Sequence, residues 1–119
     1  MEQQSWSAKL VFQVLALFLL AGLAEIGGGW GVWQTLRDDA KWWYAAVGSV
    51  VLVAYGFIPT LQPLQDFGRL YAVYGGIFIG LSFAWGRVVD GMKIDKGDII
   101  GSLVCAVGVM IILFWPRSS

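Results

Sequence analysis

The amino-acid sequence predicts an all-α membrane protein: four transmembrane helices in one compact bundle, residues 1–119 forming a single domain. Three observations lead there. Of the 119 residues 58% are apolar and only 13% are charged, with a mean hydropathy of +0.70, whereas a soluble domain carries about 25% charged residues. Four apolar runs are separated by short charged loops, which leaves no room for a soluble domain. The tryptophans gather at the ends of those runs, as an interfacial aromatic belt requires. Period-two alternation of the kind that builds barrel strands is absent, and a helix satisfies its own backbone hydrogen bonds in hydrocarbon.

The first run, Leu10 to Trp33, reads LVFQVLALFLLAGLAEIGGGWGVW without a Lys, Arg or Asp. As a helix it spans about 36 Å, enough for a tilted crossing, and predicts a helix over 10–36. The preceding MEQQSWSAK begins with an acid and has one Lys, and the apolar run is too long for a signal-peptide core, so the helix is retained. After Arg37-Asp38-Asp39-Ala40-Lys41, a second helix is predicted over 42–64; Pro59 and Pro63 remove amide donors and should bend or end it, with a terminus near Pro63. The third helix, 70–89, follows Asp66 and Arg69. The fourth, 98–115, follows the charged loop from Asp90 to Asp98; Asp95 and Asp98 are placed to cap it.

Trp33, Trp42 and Trp43 flank the first loop and Trp85 lies near the last, while Trp6 and Trp115 mark the opposite face. Four crossings put both termini on one side. Lys9, Arg69 and Arg117 fall on that side; Arg37, Lys41, Arg87, Lys93 and Lys96 fall on the other. The excess of basic residues marks the cytoplasmic side, so the termini are expected outside. The bias is small, and insertion in both orientations stays open.

Eight basic and eight acidic residues cancel, which gives no electrostatic footprint for nucleic acid. With no histidine and one cysteine, no metal site, cofactor or intrachain disulfide is expected, and no catalytic set is visible. Cys105 lies in an apolar helix, where a free thiol packs as a small hydrophobe. Glu25 stands apart: it lies roughly 4 Å from the middle of the first run, where a charged side chain costs on the order of 3 kcal/mol. A functional reading is the default for such a residue, and a buried structural acid is its rival.

Gly22 and Gly29 share the Glu25 face and admit a second helix. The glycines from Gly27 to Gly31 are not a phosphate loop, because no Lys-Ser/Thr follows them. Helix three carries an aromatic face of Tyr71, Tyr74, Phe78 and Trp85, and a small-residue seam through Gly76 and Gly80. Such a stripe packs as core or interface, or holds a cation against ring faces. In helix four, Gly101, Cys105 and Gly108 suit a helix or subunit interface. Arg87 and Asp90, at i and i+3, suit an ion pair at the membrane surface.

Gly68-Arg69-Leu70-Tyr71-Ala72-Val73-Tyr74-Gly75-Gly76, then Trp85-x-Arg87-Val88-Val89-Asp90-Gly91 and Asp98-x-x-Gly101, resemble the YnfA family of small bacterial inner-membrane proteins. The likeness covers residues 10–116. That family is regarded as related to the small multidrug resistance transporters, dimeric four-helix proteins that exchange protons for cationic drugs. Ala24-Glu25 is similar to the Ala-Glu pair that carries their essential carboxylate, and Ile58-Pro59-Thr60 to their Ile-Pro-Thr. Tyr71-Ala72-Val73-Tyr74-x-Gly76 is similar to their Tyr-Ala-x-Trp-x-Gly, and Cys105-Ala106 with Gly108 to their dimerisation segment. Tyr74 stands in place of the tryptophan, Phe78 in place of a second glycine, and Val107 interrupts the helix-four match.

The resemblance implies a bacterial cytoplasmic (inner) membrane location and a homodimer in the lipid bilayer. It also implies proton-coupled export of small hydrophobic or cationic compounds, with protons and lipophilic cations sharing Glu25. The substrate would lie among Glu25, Trp30, Trp33, Tyr71 and Tyr74. Two other readings remain at this stage: a non-transporting assembly or regulatory subunit, and a small channel.

Overall fold

The computed structural model describes residues 7–63 and 66–117; Trp6 and Leu64, invoked above, lie outside them. Among the described residues every regular element is helical: α1 (Ala8–Asp38), α2 (Trp42–Tyr55), a 3-10 turn (Ile58–Leu61), α3 (Phe67–Val89) and α4 (Lys96–Phe114). Four stretches are long and apolar enough to cross a membrane: Ala8–Asp38, Trp42–Leu61, Phe67–Val89 and Lys96–Phe114. In none of them is more than 22% of the most apolar window buried in protein. Phe12, Val50, Val53, Phe57 and Val104 all face outward. In water each exposed Å² of this kind forfeits about 25 cal/mol; against lipid tails that penalty disappears. This is the predicted fold class, four membrane-length helices and no strand among the described residues.

The second span differs in detail. α-helical geometry stops at Tyr55, well short of Pro63, and the chain continues as a 3-10 turn. Pro59 explains the position of the break: it has no amide to give the carbonyl four residues back, on Tyr55, and its ring crowds that carbonyl. Bonds therefore shorten to i→i+3, with the Phe57 amide donating to Ala54, Thr60 to Phe57 and Gln62 to the Pro59 carbonyl, each within 3.2 Å.

The α1–α2 and α3–α4 loops close by the same device. Asp39 and Gly91 are left-handed, at φ 58° and 68°. The next amides, of Ala40 and Met92, each donate at 2.9 Å to the carbonyls of Gln34 and Gly86. Glycine adopts this conformation freely, and aspartate is one of the few other residues that tolerates it. In the first loop the Thr35 hydroxyl donates to the Lys41 carbonyl at 2.9 Å and accepts the Ala45 amide at 3.0 Å, which ties the end of α1 to the start of α2.

α4 opens on a capping box. The Asp95 carboxylate accepts the Asp98 amide at 2.8 Å, and the Asp98 carboxylate accepts the Asp95 amide at 3.1 Å. Replacing Asp95→Ala is expected to cost about 1 kcal/mol and to speed amide hydrogen exchange selectively over Lys96–Ile99. Uniform exchange across α4 in the variant would contradict that role. At the other end, the Arg117 guanidinium donates to the Ile112 carbonyl at 2.8 Å.

Packing divides the chain into two units, one holding Leu15–Gln62 and the other the residues up to Val14 with those from Pro63 onward. In the latter, Val14, Leu70, Val73, Tyr74, Val109 and Leu113 are buried. α3 meets α4 at Gly76, where an added Cβ would overlap the Val109 methyl and stand 3.5 Å from the Cys105 carbonyl. In the Leu15–Gln62 unit, Phe18 and Ala21 are buried, and α1 meets α2 at bare backbone.

Candidate functional site

Three glycines make that contact. A Cβ on Gly28 would stand 2.8 Å from the Gly48 carbonyl oxygen, and one on Gly31 would stand 2.7 Å from the Tyr44 carbonyl oxygen. A Cβ on Gly48 would stand 2.5 Å from the Gly28 carbonyl oxygen and 3.3 Å from the Gly31 Cα. No side chain other than hydrogen fits at these three positions without moving main chain. The antiparallel helices approach closely here for the reason small residues recur at membrane helix interfaces.

Glu25 lies one helical turn before Gly28. Leu23 is the midpoint of α1, so Glu25 stands about 3 Å along the axis from the helix centre. It is half-buried. Ala21 and Phe18, one and two turns earlier on the same face, are each 2% exposed. A carboxyl group so placed can hold a proton, which it then donates in a hydrogen bond, or, once ionised, pair with a monovalent cation through two acceptor oxygens.

On α3 four rings form a ladder. Phe67 and Tyr71 have centroids 4.6 Å apart, Tyr71 and Tyr74 stand edge to face at 6.2 Å, and Tyr74 and Phe78 follow at 5.8 Å. Tyr74 is buried and Tyr71 half-buried. Phe67 extends the stripe by a turn beyond the sequence expectation.

On α1, Trp30 is half-buried and packs against Tyr44 of α2 at 6.2 Å, and Tyr44 packs on Trp43 at 4.3 Å. Tyr44 went unremarked in the sequence, although its position one turn before Gly48 puts it on the α2 contact face. Trp33 is 52% exposed, and the Arg37 guanidinium covers its ring at 4.6 Å from the centroid. This is an internal cation–π pair at the end of a span.

Gly22 is buried. Gly29, Gly80, Gly101 and Gly108 point into space, with nothing within 4 Å of an added Cβ, unlike Gly76. Cys105 is half-buried. Arg87 lies in the last turn of α3 and Asp90 is its C-cap, the Asp90 amide donating to the Gly86 carbonyl; both side chains are exposed. At the start of α3, Asp66 and Arg69 form an ion pair of 2.7 Å. Among the described residues, no three carboxylate, thiol or imidazole groups cluster as metal ligands would.

A family model described as "Uncharacterised BCR, YnfA/UPF0060 family" matches residues 11–118, taking in Glu25, the glycine contact, the α3 ladder and α4. The chain belongs to the YnfA/UPF0060 family. A UPF0060 membrane protein of Arthrobacter sp. (strain FB24) is 50% identical over 109 residues, 92% of this chain and 97% of that protein. A UPF0060 membrane protein of Herpetosiphon aurantiacus is 53% identical over 108 residues, 90% of this chain and 98% of that protein. One from Desulfitobacterium hafniense (strain Y51) is 49% identical over 108 residues, 91% and 100% of the two chains. No solved structure matches the chain. Membership in the YnfA/UPF0060 family thus makes this a membrane protein with bacterial relatives, in agreement with its four apolar helices.

Proposed function

We propose that this protein is a proton-coupled exporter of small hydrophobic or cationic compounds, working as a homodimer in the bacterial cytoplasmic membrane. The observation that carries the reading is Glu25: a half-buried carboxyl group near the centre of a 31-residue apolar helix. Its charge costs on the order of 3 kcal/mol at that depth, and a group retained at such a cost is a functional candidate by default. In this mechanism Glu25 exchanges a proton for the cationic substrate, so that the two never occupy the carboxylate together.

Tyr71, half-buried and edge to face with the buried Tyr74, is the α3 ring left to meet a substrate, and on α1 the half-buried Trp30 is a separate candidate. Trp33 holds Arg37 and so takes substrate only when that guanidinium gives way. Gly29, Gly80, Gly101 and Gly108 leave room for a second copy of the chain to approach, whereas Gly76 is taken up by contact with α4.

The test is transport in proteoliposomes under an imposed pH gradient, with a panel of lipophilic cations. Saturable accumulation that collapses with a protonophore is the expected result. Flux that never saturates and ignores the pH gradient would mark a channel, and no flux of any panel member would leave an assembly subunit as the better reading.

A further inference from the structure

The two loops that close on a left-handed residue are secured differently. In the α1–α2 loop, Ala40 donates its amide to the Gln34 carbonyl and has only a methyl group to add, while the Thr35 hydroxyl makes the tie to α2. In the α3–α4 loop the residue at the corresponding place is Met92, whose amide donates to the Gly86 carbonyl at 2.9 Å. Its side chain folds back on α3. A Cβ on Gly86 would stand 3.2 Å from the Met92 methyl carbon and 3.3 Å from its sulfur. Glycine at position 86 is what lets the thioether lie against the helix. An apolar contact of this kind commonly accompanies a helix that ends on a left-handed residue.

The thioether is thus a latch, and a latch of sulfur can be oxidised. Met92 is 37% exposed, in a loop whose neighbours are Asp90, Lys93 and Asp95, so a polar oxidant reaches it from water. Met110, the other methionine among the described residues, also faces outward but lies within the apolar α4 span, where lipid keeps such an oxidant away. With hydrogen peroxide, a sulfur lone pair attacks one peroxide oxygen, the O–O bond breaks and an S–O bond forms. Sulfur gives up two electrons to the peroxide. The proton carried over on the transferred oxygen passes to the departing hydroxide, which leaves a sulfoxide and water. The product is polar and chiral where the thioether was apolar. The Gly86 carbonyl is itself an acceptor, already holding the Asp90 and Met92 amides, and cannot bind the new oxygen.

We propose that Met92 is a methionine-oxidation site and that its sulfoxide unlatches the α3–α4 loop from Gly86. Peroxide at the membrane surface then loosens this loop and leaves the α1–α2 loop, tied by a hydroxyl group, as it was. Neither Glu25 nor export enters into this chemistry.

The test is treatment of the full-length protein in phosphatidylcholine nanodiscs with hydrogen peroxide, followed by peptide mass mapping and by amide exchange in nitrogen-15 NMR. Met92 sulfoxide is expected to form well ahead of Met110 sulfoxide. The Met92 amide should then exchange about fivefold faster, as when one hydrogen bond of ordinary strength gives way. It should recover on incubation with methionine sulfoxide reductases of both stereochemical classes. The Ala40 amide, bonded at the same 2.9 Å in a loop without methionine, should not change. Met92→Leu keeps an apolar latch without sulfur and should make the loop indifferent to peroxide. Met92→Gln puts a polar group in its place and should exchange fast before any peroxide is added. Oxidation of Met110 as rapid as that of Met92, a Met92 amide unchanged by the sulfoxide, or peroxide-dependent exchange in Met92→Leu would each overturn the proposal.

Discussion

Gly48→Ala is expected to destabilise the protein, while Gly75→Ala, the same chemical change in another transmembrane helix, is expected to stabilise it. In a helix interior alanine is favoured over glycine by about 1 kcal/mol, and at Gly75 nothing within 4 Å opposes the added methyl group. At Gly48 the methyl carbon lands 2.5 Å from the Gly28 carbonyl oxygen and 3.2 Å from the Val32 amide nitrogen. Both obstacles are backbone, so relief requires the two helices to separate. Overpacking of this kind costs about 1–3 kcal/mol, and Gly48→Val should reach the upper end or beyond. Thermal unfolding in one detergent, followed by circular dichroism, reads the sign directly. A Tm that moves the same way in Gly48→Ala and Gly75→Ala would show that α1 and α2 do not meet on bare backbone.

Glu25→Gln is expected to abolish pH-driven transport while leaving the fold intact. Glutamine keeps the shape and a carbonyl acceptor but cannot release a proton or neutralise a cation. Removal of a charge worth on the order of 3 kcal/mol at membrane depth should leave stability unchanged or raised. Glu25→Asp retains the carboxyl group on a stem shorter by one methylene, so coupling should persist with a changed apparent substrate affinity. The measurements are accumulation in proteoliposomes and substrate-induced proton release from detergent-solubilised protein. Gradient-driven accumulation by the Gln variant would exclude Glu25 as the coupling group; loss of the folded protein would instead make it a structural acid.

Much of this molecule could be read from its residues because the bilayer imposes so few solutions. Long apolar runs broken by charged loops located all four spans, and the Asp95–Asp98 spacing announced the cap of α4. The second span shows the limit of that reading. Pro63 and Pro59 were both visible, but only the backbone reveals that α-geometry already ends at Tyr55, the residue whose carbonyl Pro59 crowds. The glycines show a different limit. Gly29 and Gly31 sit two residues apart in one run, yet one faces space and the other faces α2. Which glycine of a cluster carries a contact depends on the rotation of the helix, and no local pattern sets that. Gly48, alone in a run of β-branched and small residues, gave no signal until its partner helix was in place. Tyr44 was missed for the same reason.

The α3–α4 seam also equips the protein with its own chemical reporter. The single thiol, Cys105, is half-buried on the helix whose backbone faces Gly76, with Val109 one turn further along the same seam. Any cycle that parts these helices changes how quickly a small maleimide reaches that sulfur. Alkylation rates compared with and without ligand would therefore track the opening of this hairpin on the unmodified protein, with no engineered label and no background from a second cysteine.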